Sequence, residues 1–365
     1  MISMSHKTFE PYKLGPITLA NHIVMAPMTR SRAPGSIPNE MMVTYYRQRA
    51  GAGLIVTEGT SPAPEGLGYA RIPGLFNREH VIGWKAVTDA VHQEGGHIFV
   101  QLMHTGRIFH ELNLPAGVKG IAPSAITAAG QMWTDQAQLQ PNGMPRALRL
   151  EELSKVRDEF VQSARLAIEA GFDGVELHGA NGYLLEQFLN PTSNQRDDTH
   201  GGSVAKRARF VLDVARGLAD AIGPERTAIR LSPWSKAGDL AHYPEIDETY
   251  GYLANELQKI GAVYVHILDP ARYGADAART LTTIRRQFSN TLILNGGYHT
   301  LDAIDDALTS KKADLVAVGR PFISNPDFVE RLRAGIPLVD PNPATFYAPG
   351  PGGFADGYTD YPRVA

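Results

Sequence analysis

Phe172-Asp173-Gly174-Val175-Glu176-Leu177-His178-Gly179-Ala180-Asn181-Gly182-Tyr183 is followed by the helical-looking Tyr183-Leu184-Leu185-Glu186-Gln187-Phe188-Leu189. The run holding Val175 and Leu177 reads as a buried strand, and the glycines after it mark the turn out. His178, Asn181 and Tyr183 then fall at the mouth of a strand-to-loop turn. An imidazole and an amide can both donate hydrogen bonds, and a phenol can give up a proton. Two neutral donors beside a proton donor suit a substrate oxygen that gains negative charge while a neighbouring carbon is protonated. The same residues also suit a polar turn that caps its own helix, with Asn181 at the N-cap.

Outward from this stretch, apolar β-branched runs alternate with amphipathic ones. Strands are expected at 22–26, 54–58, 97–102, 174–178, 227–231, 263–267, 291–295 and 314–318. The clearest helical spacing lies at 84–92, 153–170, 204–222, 247–260, 277–288 and 301–308, and Gly95, Gly171, Gly223 and Gly261 stand where helices end. Eight strands with helices between them point to an α/β fold, a parallel (β/α)8 TIM barrel, rather than an open doubly wound sheet. Two segments break the rhythm. Residues 103–149, after the third strand, read as an inserted subdomain covering the barrel mouth, and 336–365, rich in Pro, Gly and Tyr, as a tail wrapping the barrel. Residues 1–365 are expected to form one domain, a size that α/β barrels reach with insertions.

Composition narrows the function. The chain is 43% hydrophobic and 20% charged, with net charge -3 and pI near 6.5, and its basic residues are scattered. Nothing there favours a nucleic-acid partner. Cysteine is absent, which removes disulfides, thiolate nucleophiles and Cys-ligated metal together. No stretch approaches a membrane span and no signal peptide is legible, so a cytoplasmic protein without membrane partners is expected.

Strand ends of a TIM barrel share the face on which active sites lie. Read in turn they give Pro27-Met28-Thr29-Arg30, Glu58-Gly59-Thr60, Gln101-Leu102-Met103-His104, His178 with Asn181 and Tyr183, Arg230, Asp269, Asn295-Gly296-Gly297 and Gly319-Arg320. The last two match the phosphate site that this architecture builds from its seventh and eighth loops. Glycine lets backbone N–H groups approach an oxyanion and Arg320 supplies a fork, although two ordinary tight turns would read the same way. No lysine stands at a strand end for a Schiff base, and the histidines are too dispersed for a metal site. Thr29, Gln101 and Arg230 remain, suited to the polar edge of a flat ring such as that of flavin mononucleotide (FMN). For Arg230 a structural ion pair with Glu58 competes with that role.

These residues also carry a resemblance. Asn21 to Arg30, Gln101 to Arg107, the His178 to Tyr183 turn, Gly319 to Asp327, Thr345-Phe346-Tyr347 and Gly357 to Pro362 resemble the classical branch of the old yellow enzyme family of FMN-dependent ene-reductases, from about Phe9 to Pro362. The resemblance implies a (β/α)8 fold that binds FMN, takes hydride from NADPH or NADH, and reduces small-molecule activated alkenes, as a monomer or homodimer. It implies that Pro27, Met28, Thr29, Gly59, Gln101 and Arg230 meet the flavin ring, and that Gly296, Gly297, Gly319 and Arg320 hold its phosphate. His178 and Asn181 would bind the substrate's carbonyl or nitro oxygen, Tyr183 would protonate carbon, and Tyr69, Met103 and Tyr347 would border the substrate. Met103 stands where several members carry Trp, which should leave more room. The alternatives are a nitro-ester, nitroaromatic or quinone reductase on the same site, and a flavin-binding sensor without turnover.

Overall fold

The computed structural model describes residues 6–364. Eight parallel strands close into a barrel: β1 (Ile23–Met25), β2 (Leu54–Thr60), β3 (Ile98–Leu102), β4 (Gly174–Gly179), β5 (Thr227–Leu231), β6 (Tyr264–Leu268), β7 (Thr291–Asn295) and β8 (Leu315–Val318). Each leads to a helix: α1 (Glu40–Arg47), α2 (Arg78–Gln93), α3 (Leu153–Glu169), α4 (Val204–Ile222), α5 (Ile246–Ile260), α6 (Ala275–Gln287), α7 (Leu301–Thr309) and α8 (Phe328–Ala334). The expected strands are all present, as is the closed topology. Helices α1 and α8 were not legible as helices. Both are short, and α1 carries Tyr45, Tyr46 and Met42 rather than an aliphatic stripe. Helix α2 begins ahead of the expected Trp84, at Arg78, because the Asn77 side chain accepts from the His80 N–H and caps it.

Alternation along each strand separates two cores. Val24, Leu54, Val56, Phe99, Ala228, Tyr264, Ile293 and Leu315 fill the barrel interior, together with Leu14 and Leu19 from an antiparallel pair, Tyr12–Leu14 with Ile17–Leu19. Ile23, Met25, Ile55, Val100, Val175 and Leu177 pack with the helices instead. On β4 the inward positions run Gly174, Glu176, His178. A Cβ at Gly174 would meet the Phe99 ring at 2.4 Å, so glycine is required there for packing. The interior therefore changes along the strand direction from apolar to polar.

Glu176 is the hub of that change. Its buried carboxylate accepts from Gln101 Nε2 at 2.8 Å, Tyr264 Oη at 3.0 Å and His266 Nδ1 at 2.9 Å. Burial alone would raise its pKa, but the His266 partner and the Arg230 charge outweigh that and hold it below the usual carboxylate value.

Within 103–149, Gln131–Thr134 pairs with Gln138–Pro141 as a hairpin, and Ile121–Ala122 pairs with Arg146–Ala147. The tail past residue 336 is held by buried arginines that donate to its carbonyls. Arg30 reaches Phe346 O at 3.1 Å and Gly357 O at 2.7 Å, while Arg32 reaches Thr345 O at 2.8 Å and Phe354 O at 2.9 Å. Tyr358 stacks on Tyr45 with ring centroids 4.1 Å apart. Among the described residues no helix is long and apolar enough to cross a membrane.

Candidate active site

A cavity of about 680 Å³ opens at the C-terminal ends of the strands, within the size range of small-molecule sites. Of the residues singled out from the sequence, Pro27, Met28, Thr29, Gly59, Gln101, Arg230 and Arg320 line it, as do Tyr69, Met103, His178, Asn181, Tyr183 and Tyr347. Gly296, Gly297 and Gly319 are not in its wall. The first two follow β7 with φ of 127° and 97°, a backbone conformation that glycine adopts without the cost a Cβ would bring. A Cβ at Gly319 would make only ordinary contacts, with Met28 Sδ at 3.7 Å, so local packing does not demand glycine there.

The strand-end residues outside the wall have structural partners. Asp269 binds Lys312 at 2.7 Å and the Tyr298 hydroxyl at 2.6 Å. Glu58 accepts from the Arg30 N–H and from Tyr46 Oη. The competing ion pair between Glu58 and Arg230 is therefore not formed. Arg230 Nη2 donates to Asn295 Oδ1 at 3.0 Å, and its Nε is buried with no partner among the described residues. Burial works against its charge, with Glu176 the strongest opposing influence.

His178 lies opposite Arg230 in the β4–β5 register. Its Nδ1 accepts from the Ala180 N–H at 3.3 Å, so the proton of the neutral ring belongs on Nε2. Burial, then the Arg230 and His266 charges, depress its pKa well below the ordinary histidine value, and the ring stays neutral. Tyr183 stands edge-on to it with centroids 4.8 Å apart, and burial raises the Tyr183 phenol well above 10.0. Asn181 does not cap the following helix. Tyr183 occupies the N-cap of Leu184–Leu189 without a side-chain cap bond, while Asn181 sits at φ 56° and lines the cavity.

Gly59 lies at a register irregularity between β2 and β3. A Cβ there would approach Met103 Sδ to 2.5 Å, so glycine seats Met103 against the strand. Gln101 commits Nε2 to Glu176 and keeps its carbonyl oxygen for a ligand.

Ser31, Arg71, Gln131, Met132 and Trp133 also line the cavity and were not anticipated, and Ile323 and Phe346 line it from stretches quoted only for the resemblance. Arg71 donates to Ser31 O and Tyr347 O, each at 3.0 Å, and pairs with Asp135, which also accepts from Trp133 Nε1. One guanidinium thus ties hairpin and tail together at the mouth. Only the proximity of Arg71 to Tyr69 in sequence could have signalled it.

The wall fits a flat polar ring ending in phosphate. It offers an unpartnered buried Arg230 Nε, a free Gln101 oxygen, Arg320 beyond them, and no lysine. Comparison with known proteins points the same way. The family model described as NADH:flavin oxidoreductase / NADH oxidase matches residues 7–339. A putative 12-oxophytodienoate reductase of Oryza sativa subsp. japonica is 38% identical over 358 residues, covering 96% of each chain. The solved structure of morphinone reductase in complex with tetrahydroNAD superposes with a TM-score of 0.92 at 41% identity, over 99% of this chain and 98% of that one. An old yellow enzyme homologue from Zymomonas mobilis also gives 0.92, at 38% identity, over 98% and 100%.

Proposed function

The chain belongs to the NADH:flavin oxidoreductase / NADH oxidase family, and from that premise we propose that it reduces the C=C bond of activated alkenes, α,β-unsaturated carbonyl or nitro compounds, at this cavity. Bound FMN would supply the hydride, drawn from NADH or NADPH. Arg230 and Gln101 would hold the polar edge of the ring, with Thr29, Pro27, Met28 and Gly59 along it. Arg320 and the backbone of Gly296, Gly297 and Gly319 would take the phosphate. Tyr69, Met103 and Tyr347 would border the substrate.

The observation that carries the reading is the fixed tautomer of His178. With Nδ1 occupied by the Ala180 N–H, the neutral imidazole donates from Nε2. His178 and Asn181 then offer two uncharged donors to one substrate oxygen, an arrangement that draws electron density from the β-carbon. Such donors contribute a few kcal/mol where negative charge develops. Tyr183, whose proton is firmly held in the resting site, releases it only to a strongly basic centre such as the α-carbon after hydride has reached the β-carbon. A cytoplasmic location and a monomeric or homodimeric state belong to the same proposal.

The test is anaerobic. Visible flavin bands of the purified protein should bleach with NADPH and return on adding 2-cyclohexenone. Bands that bleach and stay bleached with the enone would remove alkene reduction. A colourless protein that FMN cannot reconstitute would remove the flavin reading.

A further inference from the structure

Glu186, in the short helix after Tyr183, is 3% exposed, and the groups that hydrogen-bond to it among the described residues are all uncharged. Its carboxylate gathers three donors from three parts of the fold. Oε2 accepts from the Gly182 N–H at 2.7 Å. The Ser232 hydroxyl, just past β5, lies 2.9 Å and 3.0 Å from the two oxygens. Tyr250 Oη, on α5, donates to Oε1 at 2.7 Å. Ser232 Oγ in turn accepts from the Asn181 N–H at 2.7 Å. The N–H groups of Asn181 and Gly182 are thus both held from one side, one through Ser232 and one directly. These two residues have φ of 56° and 80°, so the turn runs through two successive left-handed positions. Asparagine adopts the left-handed region more readily than most residues, at more cost than glycine, and the bond from its N–H to Ser232 helps to hold it there.

We propose that Glu186 is a positioning residue for alkene reduction, its carboxylate holding the Asn181–Gly182 turn so that the Asn181 amide reaches the substrate's electron-withdrawing group. The proposal rests on the ene-reductase reading above. A carboxylate only accepts, and both of its oxygens are used here. A protonated acid must turn its own O–H toward Ser232 or Tyr250, which weakens its hold on the Gly182 N–H. The charged and titratable groups facing it are Arg230 from β5, Tyr250 from α5 and Tyr243 from the segment before α5. Burial pushes the Glu186 carboxyl up to about 7, so the change of state falls in an accessible range.

Activity and stability then move in opposite directions. Alkene turnover needs the carboxylate, and kcat/KM falls as pH drops through about 7. Folding stability has the other sign. A carboxyl with a raised folded pKa binds more protons folded than unfolded, so its contribution is largest at low pH and is lost as pH rises toward about 7. A purely structural glutamate would give the second trend without the first.

The experiment compares FMN-loaded wild type, Glu186→Gln and Ser232→Ala, measuring flavin content, thermal midpoint and kcat/KM for 2-cyclohexenone from acid to mildly alkaline pH. Glu186→Gln should keep its flavin, lose about tenfold or more in kcat/KM above neutrality, on the order of one to two hydrogen bonds' worth of orientation, and lose the acid limb. Ser232→Ala frees the Asn181 N–H while leaving the carboxylate in place, and should lose kcat/KM but keep the limb. It also covers the case in which Glu186→Gln fails to fold. Wild-type kcat/KM in both variants, or an unchanged limb in Glu186→Gln, would overturn the proposal. Wild type that never turns over the enone would instead overturn the ene-reductase reading, before any variant is compared.

Discussion

The Tyr183 hydroxyl donates to the Tyr69 hydroxyl across 3.0 Å, so the proposed proton donor is aimed in the resting site at a second phenol on the cavity wall. Burial raises both phenols above the ordinary tyrosine value, and neither ionises near neutrality. Tyr69 therefore orients the proton without withdrawing it. Tyr183→Phe should lower 2-cyclohexenone reduction by about 100-fold, the lower range for a general acid, while reduction of a quinone persists because no carbon is protonated. Tyr69→Phe removes one orienting bond and should cost about tenfold. Parallel steady-state assays with the enone and menadione check both, and equal losses on the two acceptors in Tyr183→Phe would deny it the proton.

The pH profile follows from the same groups. A general acid works while protonated, and the raised Tyr183 pKa keeps it so well past neutrality. A neutral histidine donor works above its pKa, and His178 lies well below the ordinary value. Neither residue should bend kcat/KM between about pH 6.5 and 9, relative to the usual values of their types. An acid limb near neutrality should therefore survive in His178→Asn. If that substitution abolishes the limb, His178 titrates and its assignment as a permanently neutral donor is wrong.

Removing both donors isolates them from the cofactor. His178→Ala with Asn181→Ala leaves Arg230, Gln101 and Thr29 untouched, so the protein should purify yellow. Its alkene turnover should fall by about 10²–10³, the loss typical of oxyanion donors. Flavin absorbance and enone-dependent NADPH oxidation, measured on one preparation, separate the two effects. Normal turnover would refute the assignment.

The barrel was legible because its signal is local and repeated. Each strand is a short apolar run, and the strand-to-helix rhythm survives small errors in each boundary. His178, Asn181 and Tyr183 were legible because one turn carries all three. Ser31, Arg71 and Trp133 were not, because they reach the cavity by long-range bonds across the hairpin and tail. No periodicity records such bonds. Asn181 shows the limit within a local motif. The residue types fit a helix cap and a substrate donor equally well, and only the backbone at φ 56°, with its N–H on Ser232, separates them. Arg230 was ambiguous for the same reason, since a sequence cannot show that Glu58 already serves Arg30 and Tyr46.

Arg230 should report on cofactor binding. Its Nε is buried with no partner among the described residues, and leaving such a charged donor unsatisfied costs more than an ordinary lost hydrogen bond. Arg230→Ala should weaken FMN retention by at least about tenfold, the effect of losing one bond to a charged group. Arg230→Lys should restore only part, because a point charge does not reproduce the planar fork. Flavin absorbance remaining after exhaustive dialysis measures this. Full retention in Arg230→Ala would move Arg230 from the flavin to the structural set around Asn295.

Substrate range should turn on Met103 and Gly59 together. Met103 is 1% exposed and packs with Leu67, Ile72 and Phe109, with Tyr69 against the same cluster. A Cβ at Gly59 would come within 2.5 Å of its sulfur. Met103→Ala should enlarge the wall and raise kcat/KM for bulky β-substituted enones relative to 2-cyclohexenone. The protein should lose about 2–5 kcal/mol of stability, the usual range for truncating a buried Met. Gly59→Ala should do the reverse, driving the flexible thioether away from the strand and narrowing selectivity toward small enones. Combined with Met103→Ala it should lose most of that effect, since the sulfur and terminal methyl that it meets are gone and only the residue 103 Cβ, 3.1 Å away, must still give way. A selectivity ratio that moves the same way in both single variants would show that these two residues do not share one boundary of the substrate site.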